Sequence, residues 1–223
     1  MKPRVSNYKT AALTRVEVVV VLSVLAILLA ILLFTRSHRP DSNLRREVQI
    51  ITCINNLKQI DLAYRDWEGK HGDKFPMEAS VTNGGTMELA NGEDAWINFS
   101  VMSNELNTPK VLICPADTDK IAATNFTTDF NNNKVSYFVD LDADETNPQM
   151  FLSGDDNFEI NGITVKSGLL QLSTNAPISW TATRHHFSGE IAFTDGSVQM
   201  MSNSYLTNCL HQIGLATNRL AIP

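Results

Sequence analysis

Cysteine is scarce in this chain: Cys53, Cys114 and Cys209 stand among 223 residues, and no two have C-x-x-C spacing. That absence argues against a zinc ribbon or finger. No G-x-S-x-G elbow, no Cys–His signature and no H-E-x-x-H helix occurs, so the familiar sequence marks of hydrolases and zinc proteases are missing. There is no internal repeat and no low-complexity tract. Basic residues also run short beyond the N-terminal region. The first 40 residues hold six Lys and Arg and one Glu, which leaves 12 of the 18 basic and 23 of the 24 acidic residues for the rest, a net of about −11. Such a balance excludes nucleic acid, whose phosphates must be met by Lys and Arg, and adhesion to anionic lipid. It leaves calcium binding or plain solubility. The aromatics Trp67, Trp96, Phe126, Tyr137 and Trp180 form no evenly spaced stacking set, and core packing is their expected use.

What the chain does have is one long apolar run. Val16 to Phe34 is broken only by Glu17 and Ser23. As a helix its 19 residues reach roughly 28 Å, close to the ~30 Å of a hydrocarbon core. It exceeds the roughly 7–15 apolar residues of a cleaved secretory signal, and no small-x-small cleavage site follows it. Lys2, Arg4, Lys9 and Arg15 flank its front, and Arg36, Arg39, Arg45 and Arg46 its back, so charge alone does not orient it. Glu17 is the residue that asks for explanation. A charge at the centre of a bilayer costs about 2.5–3.5 kcal/mol and less near the interface. It therefore either reaches back to the headgroups or pairs with a cation in an assembly.

Pro40 predicts a break and Asp41 or Ser42 a helix cap. Val48, Ile51, Ile54, Leu57, Ile60, Tyr64 and Trp67 then recur at helical spacing, up to the glycines at Gly69 and Gly72. Beyond Pro76, short apolar stretches alternate with Asn, Asp, Gly and Pro. Ala95–Phe99, Lys110–Cys114, Val135–Val139, Gln149–Leu152, Ile160–Val165, Gly168–Leu172, Glu190–Phe193 and Val198–Met201 read as strands. Tyr205–Leu215 reads as a helix. Asp195-Gly196 predicts a two-residue type I′ hairpin turn within Glu190–Gln199. The whole is of the α+β class.

Three groups could carry chemistry. His185 and His186 with Asp195 allow a base oriented by a carboxylate, or a His that fixes the hairpin turn. Asp140, Asp142 and Asp144 would share one face of a strand and offer oxygens to calcium; the other reading is a solvated acidic loop. This is no EF-hand, since Glu145 and Phe151 occupy the places of its Gly and Glu. In an oxidising compartment two cysteines can pair, Cys53 with Cys114 being the expected bridge. Three buried thiols are the alternative.

The N-terminal residues resemble the class III signal of type IV pilins and type II secretion pseudopilins. Ala12 takes the place of the small residue before the cut. Thr14 and Glu17 take the places of the second and fifth mature residues. Leu13 stands where that family has Phe, and Arg15 where it has an apolar side chain. The run Cys53-Ile-Asn-Asn-Leu-Lys-Gln-Ile60 with His185, nine residues and Asp195-Gly196 resembles the bacterial prepilin-type subfamily with a C-terminal H-X9-DG motif. His71-Gly-Asp-Lys-Phe-Pro76, Cys114-Pro-Ala-Asp117 and Ser136-Tyr137 add to it. The resemblance implies a pilin-like α+β fold, with one long helix, half transmembrane and half amphipathic, packed on a small, mainly antiparallel sheet. It implies a basic leader over 1–12 cut between Ala12 and Leu13, a transmembrane helix over 13–39, an amphipathic continuation over 40–72 and a periplasmic head over 73–223. His185, Asp195 and Gly196 are then a structural motif and Glu17 an assembly residue. The implied partners are a prepilin peptidase, copies of the chain or other pseudopilins, and an inner-membrane assembly platform, with N-terminal methylation. The expected role is a filament subunit linked to type II secretion, single-pass in a bacterial inner membrane with its N-terminus cytoplasmic, and not an enzyme. The alternatives are an anchored periplasmic ligand-binding protein that does not polymerise, and an exported hydrolase using His185 and Asp195.

Overall fold

A computed structural model describes residues 14–37, 42–89 and 94–223. The leader, the Ala12–Leu13 junction, the Pro40 break and the Asp41 cap lie outside the described residues. The chain divides into two compact units, one ending at Leu44 and one spanning Arg45–Pro223.

Helix α1 covers Arg15–Ser37, and within it Arg15–Phe34 is long and apolar enough to cross a membrane, with none of the window buried by the protein. A helix apolar all round fits lipid, where its backbone groups are satisfied internally. Ser23 adds no unmet donor, because its hydroxyl donates back to Val20 O at 2.8 Å.

Helix α2, Ser42–Glu68, buries one stripe: Cys53, Leu57, Ile60, Tyr64 and Trp67, a spacing of four, three, four and three residues that keeps one face inward. The stripe is shorter than the sequence predicts, since Val48 and Ile51 are exposed, as is Leu44 before them. At its end, His71 stacks on Trp67 with ring centroids 3.7 Å apart and donates from Nδ1 to Trp67 O at 2.6 Å. This satisfies one of the orphan carbonyls of the last turn.

Two expected strands are not strands, and a third, Ile160–Val165, is split by a turn at Asn161-Gly162. Ala95–Ser100 forms helix α3, followed by α4, Ser103–Leu106. Pro109–Leu112 is a 3-10 turn, started by Thr108, whose side chain accepts from Lys110 N, and by Pro109 at its first position. Proline there pre-sets the φ of a helical turn. The remaining strands are β1 Tyr137–Asp140, β2 Phe151–Asp155, β3 Phe158–Ile160, β4 Ile163–Thr164, β5 Gly168–Ser173, β6 Ile178–Trp180, β7 Ser188–Phe193, β8 Val198–Ser202 and β9 Thr217–Ile222. Helix α5, Asn203–Gln212, lies between the last two strands in sequence. The larger sheet runs β5-β9-β1-β2-β7-β8 and the smaller β4-β3-β6, and each recorded pairing is antiparallel.

The central strands β1, β2 and β7 of the large sheet are buried on both faces, and the period of two decides which side chain goes where. Tyr137, Val139, Leu152, Ala192 and Ala221 join the α2 stripe in one core. Their neighbours Phe138, Phe151, Ile191, Phe193, Leu220 and Ile222 join Trp180 of β6 and Leu206 and Leu210 of α5 in the other. The chain is thus α+β with an N-terminal apolar helix and a mainly antiparallel sheet.

The β7–β8 hairpin exists, but its turn differs from the expected type. Gly196 has φ +86° while Asp195 is not among the residues with positive φ. Gly196 N donates to Phe193 O at 3.0 Å and Phe193 N to Ser197 O at 2.9 Å. This is a three-residue loop with a glycine bulge, not the two-residue type I′ turn, which needs positive φ at both central residues.

Candidate functional site

Two places stand out: the start of α1, and a buried polar cluster beneath α2.

At the start of α1, Glu17 finds its partner within the chain. Its Oε2 accepts from Thr14 N at 2.7 Å and from Thr14 Oγ1 at 2.9 Å, while Glu17 N donates back to Thr14 Oγ1 at 3.3 Å. The T-x-x-E pair is a reciprocal capping box. It satisfies two of the four orphan N–H groups of the helix end, and a carboxylate also suits the positive end of the helix dipole. Headgroups or a cation are the partners that the sequence suggests for Glu17, whereas the T-x-x-E spacing itself encodes this local one.

The buried cluster is assembled from four segments. Helix α2 brings Cys53 and Asn56, the turn after Leu112 brings Cys114 and Asp117, β2 and its end bring Asp155 and Asp156, and the loop before β7 brings Arg184 and His185, with Glu190 on β7 itself. Cys53 and Cys114 are joined as a disulfide with Cα atoms 5.4 Å apart, while Cys209 is free and buried. Tyr137 Oη lies 3.3 Å from Cys53 Sγ and accepts from Asn56 Nδ2 at 3.4 Å, the same amide donating to Ile113 O at 3.0 Å. His185 Nε2 sits 3.1 Å from Cys114 Sγ, 3.1 Å from Glu190 Oε2 and 3.7 Å from Asp155 Oδ2. Asp155 Oδ2 also accepts from Glu190 N at 2.9 Å.

Beside it lies an ionic network. Arg184 Nη2 contacts Asp117 and Asp156, each at 2.5 Å, and its Nη1 donates to Ser136 O at 3.0 Å. Lys120 Nζ binds Asp156 at 2.9 Å, Val135 O at 2.6 Å and Pro223 O at 3.1 Å. These groups border a cleft of about 480 Å³ lined by Asp117, Lys120, Asp156, Thr183, Arg184 and Pro223.

Burial sets the protonation states. The side chains of His185, Asp155 and Glu190 are fully buried. Burial, then the neighbouring Asp155, push Glu190 far above the ordinary carboxylate range, so it is a neutral acid. Burial pulls His185 down, outweighing the pull of Asp155 the other way, so its imidazole is neutral. Burial also lowers Arg184, but Asp156, Asp155 and Asp117 more than offset it and hold it charged. Among the described residues, His185 Nδ1 and Glu190 Oε1 find no hydrogen-bond partner, an uncommon state for buried polar atoms.

The sequence-predicted residues are distributed as follows. Cys53, Cys114 and His185 come together. His185 faces Asp155 and Glu190, whereas Asp195 accepts from Ser197 N at 2.8 Å within its own turn. That turn docks on α2: Arg65 Nη2 donates to Thr194 O at 2.6 Å and pairs with Asp61. Strand β1 ends at Asp140, so the acidic alternation does not continue on one strand face. Asp140 is buried against Asn218, Asp142 is gripped by Arg219 through Nε at 2.8 Å and Nη2 at 2.6 Å, and Asp144 accepts from Thr146 N at 2.8 Å. Among the described residues, the ligand-type side chains that do converge are Cys53, Cys114, Asp155 and His185, with ligating atoms within 4.8 Å of one another. Sequence spacing, which argued against zinc, could not show this, because 61 and 71 residues separate the three motif members. Asp155, Glu190 and Arg184 carried no sequence signal at all. No protein-family model, characterised protein or solved structure matches this chain.

Proposed function

We propose that the protein is a pilin-like subunit of a pilus or pseudopilus filament linked to type II secretion, with a structural and not an enzymatic role. The observation that carries the reading is the pairing of an uncovered apolar helix, α1, with a folded α+β head whose own helix α2 exposes Leu44, Val48 and Ile51 ahead of its buried stripe. Lipid would hold α1 before assembly. Lateral packing of α1 and of the exposed start of α2 against copies of the chain or other pseudopilins would replace lipid in the filament. The partners are a prepilin peptidase acting between Ala12 and Leu13, and an inner-membrane platform, with the N-terminus cytoplasmic and the head periplasmic.

Glu17 has a specific part in this reading. The capping box keeps its carboxylate at the N-terminal end of the helix. Cleavage would place the new α-amino group of Leu13 next to Thr14, where the same carboxylate can take it, or that of a neighbour, as its cation. Mass spectrometry of the mature N-terminus tests the reading. A chain starting at Leu13, with filaments lost in Glu17→Ala, is expected. An intact Met1 in the membrane fraction would overturn it, and so would filament-free function with Glu17→Ala tolerated, which is the behaviour of an anchored binding protein.

A further inference from the structure

We propose that the buried cluster binds zinc when its sulfurs are reduced, with Cys53 and Cys114 supplying two thiolates, His185 the Nε2 nitrogen and Asp155 a carboxylate oxygen. The inference stands on the head alone and does not rest on the filament reading.

The geometry points to one ion. All four ligating atoms fall within 4.8 Å of one another. His185 Nε2 is 3.1 Å from Cys114 Sγ and 3.7 Å from Asp155 Oδ2. Ligands held tetrahedrally at zinc bond lengths stand about 3.3–3.8 Å from each other. The first separation falls a few tenths of an ångström below that range and the second inside it, and the two sulfurs gain their room when the bond between them is broken.

The donor set selects the metal. Thiolate and imidazole favour zinc over calcium and magnesium, which take oxygen. Four protein ligands close the coordination sphere, as in structural and not catalytic sites. Two thiolates and a carboxylate exceed a divalent cation by one negative charge; Arg184 Nη1 lies 3.7 Å from Asp155 Oδ1 and offsets part of it, its charge being shared with Asp117 and Asp156. The ligands come from α2, the turn at Cys114, β2 and the loop before β7. Zinc would thus tie the two segments that the disulfide ties, and two more.

The exchange balances. A dithiol gives two electrons and two protons to the Cys53–Cys114 bond and becomes a disulfide itself, leaving two protein thiols. Zinc then displaces both thiol protons to water as two Zn–S bonds form, so binding tightens as pH rises.

The test uses the full chain in detergent micelles, reduced with a phosphine under anaerobic conditions and titrated with cobalt, then zinc. One equivalent of cobalt is expected to give sulfur-to-cobalt charge-transfer bands and the intense visible bands of a tetrahedral ion, both bleached by zinc. His185→Gln and Asp155→Asn should alter the visible bands and weaken binding about 10-fold or more. The oxidised chain should show neither band. A reduced chain that unfolds without metal and refolds with zinc also supports the site. The proposal is overturned if the reduced, folded chain shows no such bands, if His185→Gln leaves them unchanged, if the bands survive in Cys53→Ser/Cys114→Ser, or if a reduced unfolded chain is not refolded by zinc.

Discussion

Asp140 shows how one side chain can set the pH response of the head. It is fully buried at the end of β1, and burial raises its carboxyl to about 8 even though Asn218 and Asp142 N hydrogen-bond it. In the unfolded chain it ionises near 4. Its contribution is therefore fully present below about pH 4 and is lost as pH rises through 8, because the unfolded state releases its proton first. The slope is about 1.4 kcal/mol per pH unit across that window at most. Asp140→Asn removes the titration and keeps an oxygen for Asp142 N. Its amide can also serve Asn218 Oδ1, which is buried without a partner among the described residues. Urea unfolding should find the variant no more stable than the parent near pH 4 and more stable at pH 8. Parallel pH dependences would sink the idea. The acidic run at 140–145 was visible in the sequence, but the fate of each carboxylate was not, because Asn218 and Arg219 reach it from 78 and 77 residues away.

At the scale of elements, α2 and the β7–β8 hairpin form one packed unit. Arg65 links them by a charge-assisted bond to Thr194 O while shielding the mostly buried Asp61. Arg65→Ala should cost about 1–2 kcal/mol, since a buried carbonyl and a carboxylate both lose their donor. The measurement is the shift in denaturant midpoint at constant m, and an unchanged midpoint would count against the linkage. Gly189 in β7 is more demanding. A Cβ there would stand 2.5 Å from the ring of Trp180, itself fully buried. Gly189→Ala should cost roughly 1–3 kcal/mol through overpacking, seen as a lower Tm with weakened near-ultraviolet circular dichroism from Trp180. An unaltered Tm would mean that the ring has room to move.

The elements also show where sequence patterns lose their force. The α2 stripe, its stop before Gly69 and the hairpin strands were legible because local periodicity determines them. Ala95–Phe99 misled because a five-residue, mostly apolar run fits a short helix as well as a strand. Strand β9 was missed because Asn218 faces inward, which breaks the apolar alternation. Its pairing with β1 and β5 is entirely long-range. The buried cluster was half legible: Cys53, Cys114 and His185 were singled out, but only the packing of α2 against the sheet brings them together.

The whole molecule is two units with different surfaces. Arg45–Pro223 has both cores of the large sheet, the Cys53–Cys114 disulfide and the Arg184 network within it, whereas α1 buries nothing of its own. Folding of the head should therefore not depend on the membrane. A chain truncated to Arg45–Pro223 is expected to be soluble without detergent, with a cooperative thermal transition within a few degrees of the head transition in the full chain. The disulfide closes a 61-residue separation, and in the chain-entropy account such a link contributes about 4 kcal/mol. Reduction of the truncated chain in the presence of a chelator should then lower the Tm by roughly 8–16 degrees. The conversion follows from the roughly 2–4 °C per kcal/mol typical of a domain this size. Scanning calorimetry of the oxidised and reduced forms decides the matter. A truncated chain that aggregates or melts without cooperativity would show that α1 is part of the folding unit. A reduced form melting with the oxidised one would show that the packing of α2 on the sheet, and not the link at Cys53, holds the head together.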